Sequence, residues 1–161
     1  MIALIQRVRS AHVDIEGRTI AAIAHGMLAL VGVERDDASA QARRLLERLL
    51  TYRIFADAAG RMNLSLRDMQ GGLLLVPQFT LAADTGQGTR PGFSTAAPPQ
   101  LARALFEELV HAARAHHTPV AAGQFGAHME VALVNDGPVT FWLETGHKPP
   151  RSPADPARES P

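Results

Sequence analysis

Two short segments place polar groups where a reaction could be run. Pro77-Gln78-Phe79-Thr80-Leu81 follows the wholly apolar Leu73-Leu74-Leu75-Val76 and precedes a glycine-rich stretch. An amide and a hydroxyl therefore sit where a core strand ends. Backbone N–H groups freed from a ladder at such a point can form an oxyanion hole. On residue chemistry alone, a strand end closed by a capping threonine accounts for Thr80 at least as well. The second segment is Asn135-Asp136-Gly137-Pro138-Val139-Thr140. Asn-Asp-Gly is turn chemistry, and a hairpin turn is its plain reading. Gly-Pro also tolerates a cis bond, which would aim two consecutive carbonyls the same way.

Other chemistries lack their residues. The chain has no cysteine, which excludes disulfide scaffolds, thiolate zinc, iron–sulfur clusters and Cys nucleophiles. Histidines 12, 25, 111, 116, 117, 128 and 147 include no H-E-x-x-H pair, so neither a metal site nor any other cofactor is expected. No G-x-S-x-G elbow occurs, and Gly86-Gln87-Gly88 stops short of a phosphate loop.

The elements that must position these segments read as one domain. A chain of 161 residues, 46% hydrophobic, has the apolar mass for one core. Sixteen basic and sixteen acidic residues cancel, so the simplest argument for nucleic-acid binding fails, although local basic patches survive a net count. No apolar run approaches the ~20 residues of a membrane helix. The opening residues lack the order of a signal peptide, so a soluble, cytoplasmic protein with no membrane contact is the expectation.

Period-two alternation predicts strands at Ile2–Val8 and, after a turn at Glu16-Gly17-Arg18, at Thr19–Ala24. Met27–Val33 and Leu73–Val76 are apolar throughout and read as strands buried on both faces. Ala42, Leu45, Leu46, Leu49 and Leu50 form a helical stripe, with Asp36 or Asp37 as its cap. Arg43, Arg44 and Arg48 fall on its other face, which is either solvated or turned to RNA. Pro98-Pro99 opens a second helix with its stripe at Leu101, Ala102, Leu105, Leu109 and Ala113. Residues 83–94 form a long loop and a functional suspect. Met129–Val134 and Val139–Leu143 are two further strands around the Asn-Asp-Gly-Pro turn. Residues 1–145 make the domain, and 146–161 read as a disordered, proline-rich tail. The class is α+β, two main helices against curved mixed sheets.

Several stretches together resemble the D-aminoacyl-tRNA deacylase family. They are Met1–Val8, Tyr52–Asp57, Met62–Leu64, Gln78–Thr85, Arg90–Ser94 and Asn135–Leu143, in order across residues 1 to about 145. One departure stands out: the family's Ser-Gln-Phe-Thr-Leu is Pro77-Gln78-Phe79-Thr80-Leu81 here. Proline offers neither hydroxyl nor N–H, so a mechanism that needs that serine cannot run.

The resemblance implies a β-barrel-like fold working as a homodimer, with active sites at the subunit interface. It implies hydrolysis of the ester at the 3′-terminal adenosine of D-aminoacyl-tRNA, and of glycyl esters mischarged on tRNA-Ala. Gln78, Phe79 and Thr80 would be the catalytic segment, with backbone groups and the ribose hydroxyl doing the chemistry. Gly137 and Pro138, joined by a cis bond and braced by Arg7, would enter the partner's pocket and reject L-amino acids. Phe125 and Met129 would flank the adenosine. Phosphate contacts would come from Arg43, Arg44, Arg48 and Arg53. The rival readings are a non-catalytic nucleic-acid-binding relative that lost activity with Pro77, and an esterase with Thr80 as nucleophile.

Overall fold

Alternation along the first fifteen residues produces a single long strand, Ile2–Ile15 (β1), in a computed structural model that describes residues 1–86 and 88–146. The tail expected to be disordered lies, apart from Gly146, outside the described residues. One edge of β1 is shared by two partners. Its first half pairs antiparallel with Gly26–Gly32 (β3), and its second half, from Ala11, pairs with Arg18–Ile23 (β2). The other edge pairs with Glu130–Glu144 (β8) along nearly its whole length.

Beyond β3 the sheet continues in parallel through Gly72–Pro77 (β6) to Val120–Ala122 (β7). The order is β2-β1-β3-β6-β7, and β2 curls round against β6 and β7. The sheet is thereby a nearly closed barrel. Phe55–Ala56 (β4) and Met62–Leu64 (β5) form a separate small hairpin. The helices are Ser39–Thr51 (α1), the single turn Leu66–Met69 (α2) and Pro99–His116 (α3).

The two apolar strands serve two cores. Met27, Ala29 and Val31 of β3, with Leu73 and Leu75 of β6, face α1 and α3. Leu28, Leu74 and Val76 point into the barrel, against Val8, Val13 and Ile23. Burial on both faces is why these segments carry no polar alternation. The α1 stripe is buried as its spacing predicts, and α3 adds Phe106 and Val110 to the expected set.

Two expectations need correction. Neither Asp36 nor Asp37 caps α1, because Ala38 holds the cap position and Gln41 Oε1 accepts from its N–H at 3.0 Å. Asp37 is spent elsewhere: it accepts from the Glu34 N–H at 2.7 Å and from the Met1 amino group. Nor does a hairpin join two strands at Asn135–Pro138. Residues on both sides pair with the same strand, Val8 with Asn135 and Gln6 with Thr140. The chain keeps its direction, and Asp136–Val139 bulge out opposite the single residue Arg7.

Candidate active site

β6 ends at Pro77, and a 3₁₀ turn over Phe79–Ala82 follows at once. The Gln78 N–H still donates to Val31 O of β3 at 2.7 Å. Successive N–H groups of a strand point to opposite edges, so residue 77 faces the β7 side. The last β6–β7 pair is Leu75 with Ala122, and Pro77 lies beyond it. A proline thus interrupts no ladder bond, which is how it is tolerated at the end of an interior strand.

In the 3₁₀ turn the first internal donor is Leu81, whose N–H reaches Gln78 O at 3.2 Å. The N–H groups of Phe79 and Thr80 come before it and have no acceptor within the turn. Phe79 lines a cavity of about 440 Å³, with Thr80 directly after it in the turn, and the walls also include Pro77, Gln78, Phe125, His128 and Met129. That volume lies in the range for a small-molecule site. Gly123 lies behind that wall, where a Cβ would come within 2.9 Å of Met129 Sδ and 3.4 Å of Pro77 Cδ.

Four of the expected residues, Gln78, Phe79, Phe125 and Met129, are therefore brought together. Thr80 stands beside the cavity without lining it, and its Oγ1 accepts from the Gln78 side-chain amide. The ring of Phe79 is largely exposed and lies against Phe93, centroids 5.2 Å apart, which ties the long 83–94 loop to the mouth. That loop is closed on itself by paired Asp84 and Gly92 backbone bonds of 2.8 and 2.9 Å. By sequence, His128 enters only as one of seven histidines without metal-site spacing. Its place in the wall follows from the β7–β8 connection, which carries no periodic signal.

The other expected group is built elsewhere. Arg7 Nη1 donates to Ile54 O at 2.8 Å, and its Nε donates to Asp136 O at 3.2 Å and pairs with Asp136 Oδ2 at 3.0 Å. Asn135 Nδ2 donates to Arg7 O and Val139 O, at 3.1 and 3.2 Å, and so closes the neck of the bulge. Gly137 and Pro138 are exposed at its tip, and the bond between them is cis.

Within one chain the two groups do not meet. Arg7 is level with Met27 of β3, and Met27 with Leu73 of β6. From Leu73 to Gln78 is five residues of strand, roughly 16 Å at ~3.3 Å each. Gly137 and Pro138 are absent from the cavity's lining, while Arg7 and Asp136 border a separate hollow with His25 and Phe55. The α1 arginines are no nearer. Arg43 pairs with Glu108 at 3.7 Å, and Arg48 donates to Glu144 O at 2.7 Å. Arg43, Arg44, Arg48 and Arg53 do not line the cavity.

Comparison with known proteins adds an independent line. The family model described as D-Tyr-tRNA(Tyr) deacylase matches residues 4–144. A protein from Thioalkalivibrio sulfidiphilus (strain HL-EbGR7) named D-aminoacyl-tRNA deacylase is 66% identical over 151 residues, covering 94% of this chain and 100% of its own. A protein of the same name from Nitrosococcus oceani is 60% identical over 144 residues, covering 89% of this chain and 93% of its own. Among solved structures, that of a c-Myc DNA Unwinding Element Binding Protein superposes with a TM-score of 0.85 at 35% identity. It covers 89% of this chain and 98% of that one.

Proposed function

The chain belongs to the D-Tyr-tRNA deacylase family, and from that premise we propose that it hydrolyses the ester of D-aminoacyl-tRNA at an interface between two copies of itself. The observation that carries the two-subunit form is the distance between cavity and bulge within one chain. Phe79 brings a backbone donor to the cavity lining, while Gly137 and Pro138, which would read the configuration at Cα, are absent from it. The bulge with Gly137 and Pro138 is exposed, rigidly braced by Arg7, and too far from its own cavity to enter it.

In this reading the terminal adenosine occupies the cavity between Phe125 and Met129. The ester carbonyl oxygen points to the Phe79 and Thr80 N–H groups, which stabilise the negative charge it gains as water adds to the carbon. The carbon–oxygen bond to the ribose 3′-oxygen then breaks, and the free amino acid and tRNA leave. The neighbouring 2′-hydroxyl orients the water, so proximity replaces a side-chain base. Nothing in this scheme draws on a hydroxyl at residue 77, so Pro77 is compatible with it.

Selection against L-substrates works by exclusion. A pocket that must take many D-side chains gains little from gripping any of them. The partner's Gly137 and Pro138 carbonyls, placed where an L-Cβ would project, reject that isomer by collision. Glycine has no Cβ and passes, so glycyl esters are substrates too.

The deciding experiment is deacylation by the purified protein of tRNA carrying D-Tyr, L-Tyr or Gly. Hydrolysis of the D and Gly esters with the L ester spared is the expected result. The second reading, a nucleic-acid binder without catalysis, draws on Pro77 and on the DNA-element binding for which the structural relative is named. It predicts tRNA binding with all three esters intact.

A further inference from the structure

Behind the cavity wall lies a second hollow, of about 430 Å³, and α3 runs past both. The helix gives Pro99 and Ala102 to the cavity, then Arg103, His111 and Arg114 to the groove. Positions 103, 107, 111 and 114 share one helix face by their spacing. From Arg103 to Arg114 that face extends about 16 Å, at ~1.5 Å per residue.

The partition between the two hollows is thin. Phe125 lines both, and Gly123 and Gln124 just before it line the groove. Arg103 binds the partition from the groove side. Its guanidinium lies 5.0 Å from the centre of the Phe125 ring, and Nη2 donates to Phe125 O at 3.4 Å. A cation stacked on an aromatic ring is a surface on which an RNA base or phosphate can rest. The groove lining sets two arginines against one carboxylate. Its only carboxylate among the lining residues, Glu107, is engaged by Arg103 at 3.8 Å, which leaves Arg114 and His111 to face a ligand. On α1, by contrast, Arg43, Arg44 and Arg48 line neither hollow, and Arg43 and Arg48 are turned to Glu108 and to Glu144 O.

We propose that this groove carries the single-stranded 3′ end of the RNA, the nucleotides just before the esterified adenosine, with Arg114 and His111 on their phosphates and Arg103 holding the Phe125 platform. The proposal rests on the deacylase reading for its substrate. It moves the phosphate path from the α1 arginines to α3. Phe125 lines both hollows, so an RNA leaving the cavity past that ring meets the groove, which presents the Arg114 guanidinium and the His111 ring where the backbone must pass. Phosphates supply most of the affinity of such complexes, while a base on an aromatic platform adds register without sequence.

The test compares two substrates with and without the groove. The variant is His111→Gln with Arg114→Gln, two exposed positions on α3. Its kcat/KM is measured on D-Tyr-tRNA and on the 3′-D-tyrosyl ester of adenosine, which fills the cavity and has no phosphate to reach the groove. The ratio of the two values should fall on the order of tenfold. The salt dependence of KM for the tRNA should lessen by roughly 0.7 in log–log slope for each phosphate no longer neutralised. An unchanged ratio overturns the proposal, as does a fall produced instead by Arg43→Gln with Arg44→Gln. Should the wild-type protein hydrolyse neither ester, the deacylase reading fails, and the groove is then judged by binding. Anisotropy of a labelled single-stranded RNA ending in CCA should show tighter binding by wild type than by the variant. Equal affinities would overturn the groove by itself.

Discussion

Gly137 has a φ of +125°, and a side chain built there would meet Val139 Cγ2 at 2.8 Å and Arg7 Nη2 at 2.9 Å. Only glycine takes that backbone without strain. Gly137→Ala should lower stability by about 1–3 kcal/mol while leaving the fold intact, since the bulge stands outside both cores. It should also narrow the rate ratio between D- and L-Tyr esters by pushing Arg7 away. Thermal unfolding and the paired deacylation rates measure the two effects, and a variant with wild-type selectivity would show that the bulge does not read configuration. Thr80 makes the complementary case. Its hydroxyl accepts from the Gln78 side-chain NH₂, and a carboxamide is far too weak a base to take a proton from it. Thr80→Ala should keep kcat within about tenfold, whereas removing a true nucleophile costs on the order of 10⁴–10⁶. A loss of that size, or an acyl-Thr80 caught by mass spectrometry, would instead identify a covalent mechanism.

Among the elements, the small hairpin β4–β5 and the one-turn helix α2 hold the region beneath Arg7, whose guanidinium donates to Ile54 O. Two carboxylates organise it. Asp57 is held below the usual carboxylate value of 3.8 chiefly by the Arg61 N–H, then by the Asn63 side-chain amide. Asp68 is lowered first by the Ser65 hydroxyl and then by the Ser65 N–H, in a reciprocal cap at the start of α2. A carboxyl group with a depressed pKa in the folded state adds stability above its unfolded value. That contribution is lost as pH falls through the folded value. Stability should therefore be level in these two groups at neutral pH and decline below about pH 4. Asp57→Asn with Asp68→Asn should flatten that acid limb and leave less stability at pH 7. Denaturation midpoints across pH 3–7 decide it, and an unchanged limb would place the acid sensitivity elsewhere.

For the molecule as a whole, the consequence of split functional groups is that two damaged chains can repair each other. One variant carries Gly137→Ala, which spoils the bulge. The other carries Gly123→Val, whose Cβ stands 2.9 Å from Met129 Sδ and 3.4 Å from Pro77 Cδ and whose methyl groups crowd both wall residues toward the cavity. If each site takes its cavity from one subunit and its bulge from the other, a mixed dimer has one intact site. Random exchange of equal amounts should then restore about one quarter of wild-type selectivity-competent activity, since half the dimers are mixed and each has one good site of two. Mixing that yields only the average of the two separate variants would confine the site to a single chain.

Much at the scale of elements could be read directly. Leu73–Val76 and Met27–Val33 are apolar at every position because both their faces are covered, and the α1 and α3 stripes recur at the helical period because one face of each is covered. The resemblance through Gln78–Thr80 and Asn135–Val139 points to both functional segments. What composition and period could not carry was how distant segments share space. Asn-Asp-Gly-Pro spells a turn locally, yet β1 pairs with β8 on both sides of it, and that ladder makes the segment a bulge braced by Arg7. Asp37 looks like a helix cap until the Met1 amino group and the Glu34 N–H claim its oxygens. The stretch 123–128 has no periodicity, and within it only the resemblance points to a residue, Phe125, but in the fold Phe125 lines both hollows and His128 joins the cavity wall. Period and propensity act over a few residues, so they determine strands, helices and faces. Pairing partners, closure of the barrel and the walls of the cavity depend on residues that meet from more than a hundred positions apart, as Ile2 meets Glu144, and only the folded chain settles those.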